Sequence, residues 1–257
     1  MNLNSIINLL NDEVKLKEHE SWDNSGLQIG SMKGNINKIM LTMDISKEAT
    51  EQAIQEEIDL IITHHPFFFD SIKKIDFDLY DGEIIEMLIK ENINVYSIHT
   101  SYDMAEKGVT YNLAQKLNIL DYNVLHPVSL DNSGYGGIGE VPPINITEFA
   151  KFVKEALGAD CVKLYCNDDK TVKKVAFCGG SGSEFIEDAI KSKADVYITG
   201  DIKYHQVQEA VKNNLCIIDA GHYNTEVHSM DTIMEALRKT GLEIINFKKN
   251  MTAEKII

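Results

Sequence analysis

Ile58–Phe69, IDLIITHHPFFF, is the stretch whose reading decides the fold. Ile58, Leu60, Ile61 and Ile62 make a short apolar run, the pattern of a strand buried on both faces of a parallel sheet. His64, His65 and Pro66 follow at once. Neighbouring side chains within a strand point to opposite faces, so two adjacent imidazoles can serve one site only past the strand end. Pro66 has no backbone donor and biases His65 toward an extended conformation, which ends the strand here. Open α/β sheets bind ligands beyond the carboxyl ends of their strands. Two half-buried histidines without chemistry remain the competing reading of the pair taken alone.

Working outward, Lys38–Asp44 (KIMLTMD) reads as the preceding strand, and Ser46 caps a helix through Glu57 with Ala49, Ala53 and Ile54 inward. Phe67, Phe68 and Phe69 are expected in core or interface. A helix around Asp81–Glu91 leads to a strand Val95–Ile98, which ends in His99-Thr100-Ser101-Tyr102-Asp103. Upstream, Trp22-Asp23-Asn24-Ser25-Gly26-Leu27-Gln28 holds the only tryptophan and reads as a turn into a short strand. That turn either packs its indole or lines a crevice. Downstream, Asn123–Pro143 is irregular. Its Gly-rich run Ser133–Glu140 lacks G-K-[ST], so it supports no phosphate loop and reads as a turn-rich connection between lobes. Thr147–Leu157 is an amphipathic helix stopped by Gly158.

Composition narrows the class. A chain of 257 residues can build one large domain or two modest ones. No apolar run is long enough to cross a bilayer, and the start MNLNSIINLLNDE reads as an amphipathic helix, not a signal peptide. A cytoplasmic location is the expectation. Cys161, Cys166, Cys178 and Cys216 show no C-x-x-C pairing and are expected to be reduced and structural. A formal charge of −15 argues against nucleic acid as a partner and suits a metal cation.

The chain also repeats itself. Lys174–Thr199 aligns without gaps on Lys38–Thr63 at a constant offset of 136, matching Glu48/Glu184, Ala53/Ala189, Asp59/Asp195 and Thr63/Thr199 among others. Asn94–His99 matches Asn214–Asp219 farther on. Each copy is strand, helix, strand, helical connector, strand, the alternation of a parallel sheet with right-handed crossovers. The expected fold class is therefore α/β, with two related lobes and largely parallel sheets.

Three polar clusters fall at comparable strand ends: His64-His65, His99 to Asp103, and Asp219 to Glu226. His222 and Glu226 are one helical turn apart. Three imidazoles with two carboxylates suit Zn²⁺, Fe²⁺ or Mn²⁺, and a bridging carboxylate would allow two ions. Without thiolates, such a set looks like an open catalytic site, not a structural one.

Together, Trp22–Gln28, Thr63-His64-His65-Pro66, His99–Asp103, Thr199–His205 and Gly221–Glu226 resemble the Nif-three-like family, the GTP cyclohydrolase type-two homologues, across essentially the whole chain. The chain is similar to the short form, without an inserted middle domain. The resemblance implies two related lobes, here divided as 1–125 (HHP and HTxxD motifs) and 126–257 (TGD and GHxxTE motifs), packed as one unit. It also implies a dinuclear metal site in the crevice between them and a homohexamer. Carried over by motif, His64, His65, Asp103, His222 and Glu226 are the metal ligands of two divalent ions, with Glu226 bridging. His99 and His205 are acid/base candidates or partners of ligands, and Asp23 and Asn24 are candidates for lining the substrate. The implied activity is a metal-dependent hydrolase, GTP cyclohydrolase-like on the family's label, that turns a metal-bridging hydroxide on a nucleotide or similar small molecule. The alternative is a non-catalytic metal-binding scaffold for storage, delivery or protein interaction.

Overall fold

The structure, a computed structural model, describes residues 1–129 and 133–252. In chain order the elements begin with α1 (Leu3–Val14), β1 (Gly26–Ile29), β2 (Lys38–Thr42), α2 (Lys47–Gln55), β3 (Leu60–Thr63), α3 (Tyr80–Lys90), β4 (Asn94–Ser97) and α4 (His99–Asp103). They continue with α5 (Val109–Lys116), β5 (Tyr122–Pro127), β6 (Gly134–Asn145), α6 (Ile146–Leu157), β7 (Lys163–Tyr165), β8 (Thr171–Phe177), α7 (Ile186–Lys191), β9 (Val196–Thr199) and α8 (Tyr204–Lys212). The chain closes with β10 (Cys216–Asp219), α9 (His222–Glu226), α10 (Ser229–Arg238) and β11 (Glu243–Phe247).

Two compact units result. The first holds Met1–Ala105 and resumes at Met230; the second holds Glu106–Ser229. This partition differs from a single cut at 125/126, because β11 pairs in parallel with β2 over five residues and so belongs to the first sheet.

In the first unit the strand order is β1-β4-β3-β2-β11, parallel except for the antiparallel edge pair β1/β4. All four residues of β3 are buried, as expected for a strand covered on both faces. Met40, Ile61 and Val95 pack against Ala49 and Ala53 of α2 and Ile84 and Leu88 of α3. α1 turns Leu3, Ile6, Ile7, Leu10 and Val14 inward, and the Asn2 side chain caps it by accepting from the Ser5 N–H.

In the second unit the order is β5-β6-β8-β9-β10-β7. Only β8/β9 and β9/β10 are parallel; the three outer pairings are antiparallel. The expectation of largely parallel sheets thus holds for the first unit and not for the second. Val175, Phe177, Val196 and Ile198 face α5 and α6 on one side, while Ala176, Tyr197 and Ile217 face α7 and α8 on the other.

Two sequence expectations are corrected here. The Gly-rich run is not a connection between lobes but β6, hydrogen-bonded to both β5 and β8. Its glycines allow close approach: a Cβ at Gly137 would run into the Phe177 ring, and one at Gly139 would meet Ile119 and the Asp121 carbonyl. Residues 130–132 of the expected irregular middle lie outside the described residues. The cysteines are not all reduced either, since Cys166 and Cys216 form a disulfide while Cys161 and Cys178 are free thiols. The register explains the pairing: Tyr165 lies opposite Ile217 in an antiparallel pair, so one step forward to Cys166 and one step back to Cys216 bring the two cysteines face to face.

Candidate functional site

The two units each present a polar cluster at the carboxyl ends of their parallel strands, where an α/β sheet leaves backbone groups and loops open to a ligand. In the first unit β2 ends toward Asp44, β3 toward His64 and His65, and β4 toward His99 and Asp103. The His64 and His65 N–H groups donate to the carbonyls of Thr42 and Met43, which extends the ladder past β3. The turn is then held by side chains: Thr63 Oγ1 donates to the His65 carbonyl at 2.7 Å, and Ser97 Oγ donates to the His64 carbonyl at 2.8 Å. Both imidazoles consequently lie together, with ring centroids 4.8 Å apart and His99 at 5.5 and 5.6 Å from them. His64 is fully buried, and its Nε2 lies 3.5 Å from Asp103 Oδ1.

Carboxylates set the orientation of two of these rings. Asp44 Oδ1 is 2.8 Å from His65 Nδ1, and Asp23 Oδ1 is 2.8 Å from His99 Nδ1. A carboxylate on Nδ1 favours the tautomer that carries its proton there and leaves the Nε2 lone pair available. The Asp23 carboxylate is itself buried and accepts from Ser25 Oγ, Thr100 Oγ1 and the backbone N–H groups of Asn24 and Thr100. Burial pushes its pKa up, but the hydrogen bonds from His99, Ser25 and Thr100 and the electrostatic attraction of the His99 ring outweigh that. The net result lies well below the usual carboxylate range.

In the second unit α9 places His222 and Glu226 on one face, with His222 Nε2 3.1 Å from Glu226 Oε2. Asp201 Oδ2 takes His222 Nδ1 at 2.8 Å, the same device as in the first unit. Asp201 sits at φ 55, an uncommon conformation for a residue with a side chain, held at the turn where β9 ends. His222 Nε2 and the buried Glu226 Oε2, at 3.1 Å, are an imidazole nitrogen and a carboxylate oxygen near enough to share a proton or a cation. Gly180, at φ 64, leaves room for this pair: a Cβ there would overlap Glu226 Oε1 and lie 3.3 Å from His222 Nε2. The donor set in each unit, imidazole nitrogen plus carboxylate oxygen, fits a divalent Zn, Fe or Mn ion.

The sequence profile described as Duf34/NIF3 (NGG1p interacting factor 3) matches residues 1–253. The chain belongs to the NIF3 family. It is similar to proteins named GTP cyclohydrolase 1 type 2 homolog from Clostridium perfringens and Streptococcus pneumoniae. The first is 33% identical over 243 residues, covering 93% of this chain and 92% of the relative. The second is 38% identical over 205 residues, covering 78% and 77%. A solved Bacillus cereus protein related to NIF3 shares the fold, with a TM-score of 0.90 at 23% identity over 100% of this chain and 99% of that one.

Within this NIF3-family chain the first unit brings His64, His65, His99 and Asp103 together, and the second brings His222 to Glu226. His205 is exposed on α8, where its Nδ1 lies 3.3 Å from Gln208 Oε1. Asp23 is buried behind His99, and exposed Asn24 donates to the Phe68 carbonyl at 2.6 Å. Sequence reasoning assigned no role to Asp44, Asp201, Thr63 or Gly180. The signal for the first two was their place directly after strands, beside the histidine-bearing ends.

Proposed function

We propose that this chain is a metal-dependent hydrolase of a nucleotide or similar small molecule, with His64, His65, Asp103, His222 and Glu226 holding two divalent ions. The observation that carries the reading is the carboxylate–imidazole pair that recurs on two of the named ligands, Asp44–His65 and Asp201–His222, each at 2.8 Å on Nδ1. Metal-binding histidines are held in this way, because the carboxylate fixes the ring and strengthens the opposite nitrogen as a donor. When bound, a pair of such ions supplies Lewis acidity and lowers the pKa of coordinated water toward neutrality.

The chain's own residues divide the remaining work. Asp44 and Asp201 orient His65 and His222. Asp103 and Glu226 contribute two negative charges against four positive, which leaves a centre attractive to an anionic substrate within an acidic protein. His99, assigned no metal in this reading, is backed by Asp23 on Nδ1 and can accept or return a proton at Nε2. The names of the Clostridium and Streptococcus relatives make GTP the first substrate to try. On the same reading the chain assembles as a hexamer.

The test is turnover by protein reconstituted separately with Zn²⁺, Fe²⁺ and Mn²⁺, on GTP and then on generic phosphoesters. Activity in one metal form that disappears in Glu226→Ala and His65→Ala, with assembly unchanged, is the expected result. Tight metal retention without turnover in any form would move the chain to the scaffold class.

A further inference from the structure

Two large aromatic side chains beside the first unit's cluster have no role in the core. Trp22 and Phe69 are each 58% exposed, although exposing such rings to water is costly and both lie next to a polar site. Their centroids are 6.2 Å apart with planes at 49°, a tilted contact that makes a corner and still leaves more than half of each side chain exposed. His99 stands at the back of that corner, 6.2 Å from Trp22 and 6.3 Å from Phe69, edge-on to both.

The corner is built rigidly. Phe68 is clamped at both backbone groups: its N–H donates to Gln28 Oε1 at 3.1 Å, and its carbonyl accepts from Asn24 Nδ2 at 2.6 Å. Gln28 Nε2 in turn donates to the Asn24 carbonyl at 2.6 Å. Two side-chain hydrogen bonds thus tie the turn carrying Trp22 to the loop carrying Phe69, and the third braces the turn itself. Immediately behind Trp22, Asp23 ties the same turn to His99. Rigid, exposed aromatic faces give contact area at low entropic cost, and a planar ring is the ligand shape that uses them fully.

We propose that Trp22 and Phe69 are the substrate-positioning residues of this centre, stacking the planar heteroaromatic ring of a purine-type ligand against His99. The proposal rests on reading the neighbouring histidines as a small-molecule site. It assigns Asn24 and Gln28 to the frame of the corner, not to the ligand.

Trp22 is the only tryptophan, so its fluorescence reports directly on the corner. Guanosine monophosphate should quench it saturably, and ribose 5-phosphate, which carries the phosphate without the base, should not. Phe69→Ala should weaken guanosine monophosphate roughly tenfold or more, and Phe69→Tyr should restore it. By calorimetry, Trp22→Phe should retain binding that Trp22→Ala loses. Both rings are exposed, so unchanged melting temperatures should accompany these variants. Equal binding of the two phosphates, no binding of the nucleotide, or a Phe69→Ala variant that alters only oligomeric mass would each overturn the proposal. Repeating the titration on metal-stripped protein separates the two readings. Base-dependent quenching without metal-dependent turnover leaves the stacking corner and removes the hydrolase. Turnover whose KM ignores Phe69→Ala does the reverse.

Discussion

Burial alone would raise the pKa of the Asp23 carboxyl, yet its hydrogen bonds hold it well below the ordinary value of 3.8. A carboxylate depressed on folding adds stability that is complete above the unfolded pKa and fades as pH falls toward the native one. Asp23→Ala should therefore cost about 2–3 kcal/mol at neutral pH, since it strands several buried donors. Read as a melting temperature, that is a drop of roughly 4–12 °C. The gap between wild type and Asp23→Asn should be constant above pH 5 and narrow below pH 3.8, as followed by thermal melts across pH. A gap that widens on acidification would contradict the assignment. Gly180 tests the other unit. Gly180→Ala must place a side chain at φ 64 and against Glu226 Oε1, so it should lose about 1–2 kcal/mol and disturb metal affinity together. Denaturant melts and a metal titration would expose a purely local effect.

At the scale of elements, the internal repeat read from the sequence is matched in three dimensions. Ile39 pairs with Leu60 in the first unit and Val175 with Val196 in the second, both at the offset of 136. Asp59 Oδ2 accepts from the N–H groups of Asn37 and Lys38, and Asp195 Oδ2 does the same for Lys173 and Lys174. Asp59→Ala and Asp195→Ala should each lose about 1–3 kcal/mol, and by similar amounts; a neutral effect at one alone would count against equivalence. The later match needs correction: the register pairs Leu60 with Asn94 and Val196 with Cys216, so Asn94 corresponds to Cys216, two residues beyond Asn214.

The strand ends and their ligand-capable residues were legible because buried strands, Pro66 and polar clusters leave local signals. β6 was not, because its glycines answer to Phe177 and Ile119, which are distant in sequence. Nor was the disulfide, whose cysteines lie 50 residues apart and meet only through the β7/β10 register. Thiol titration of unfolded, unreduced protein should find two free cysteines and, after reduction, four. Four without reductant would contradict the β7/β10 clip. The Asp44–His65 and Asp201–His222 pairs were hidden for the same reason: each joins residues 21 apart across adjacent strand ends.

At the scale of the whole molecule, no helix among the described residues is long and apolar enough to cross a membrane. The exposed side chains Ile72, Ile75, Phe77, Leu79 and Tyr80 form a sequence-local apolar stretch of the kind an interface covers. Sedimentation should give about six times the 28.9 kDa chain mass, and a concentration-independent monomer would oppose the hexamer. The central proposal is that His64, His65, Asp103, His222 and Glu226 hold two ions. Elemental analysis of gently purified protein, beside Glu226→Ala and His64→Ala, tests it most directly. Wild-type protein should approach two divalent ions per chain, and Glu226→Ala and His64→Ala should each fall below it. Unchanged stoichiometry in the two variants would contradict the account.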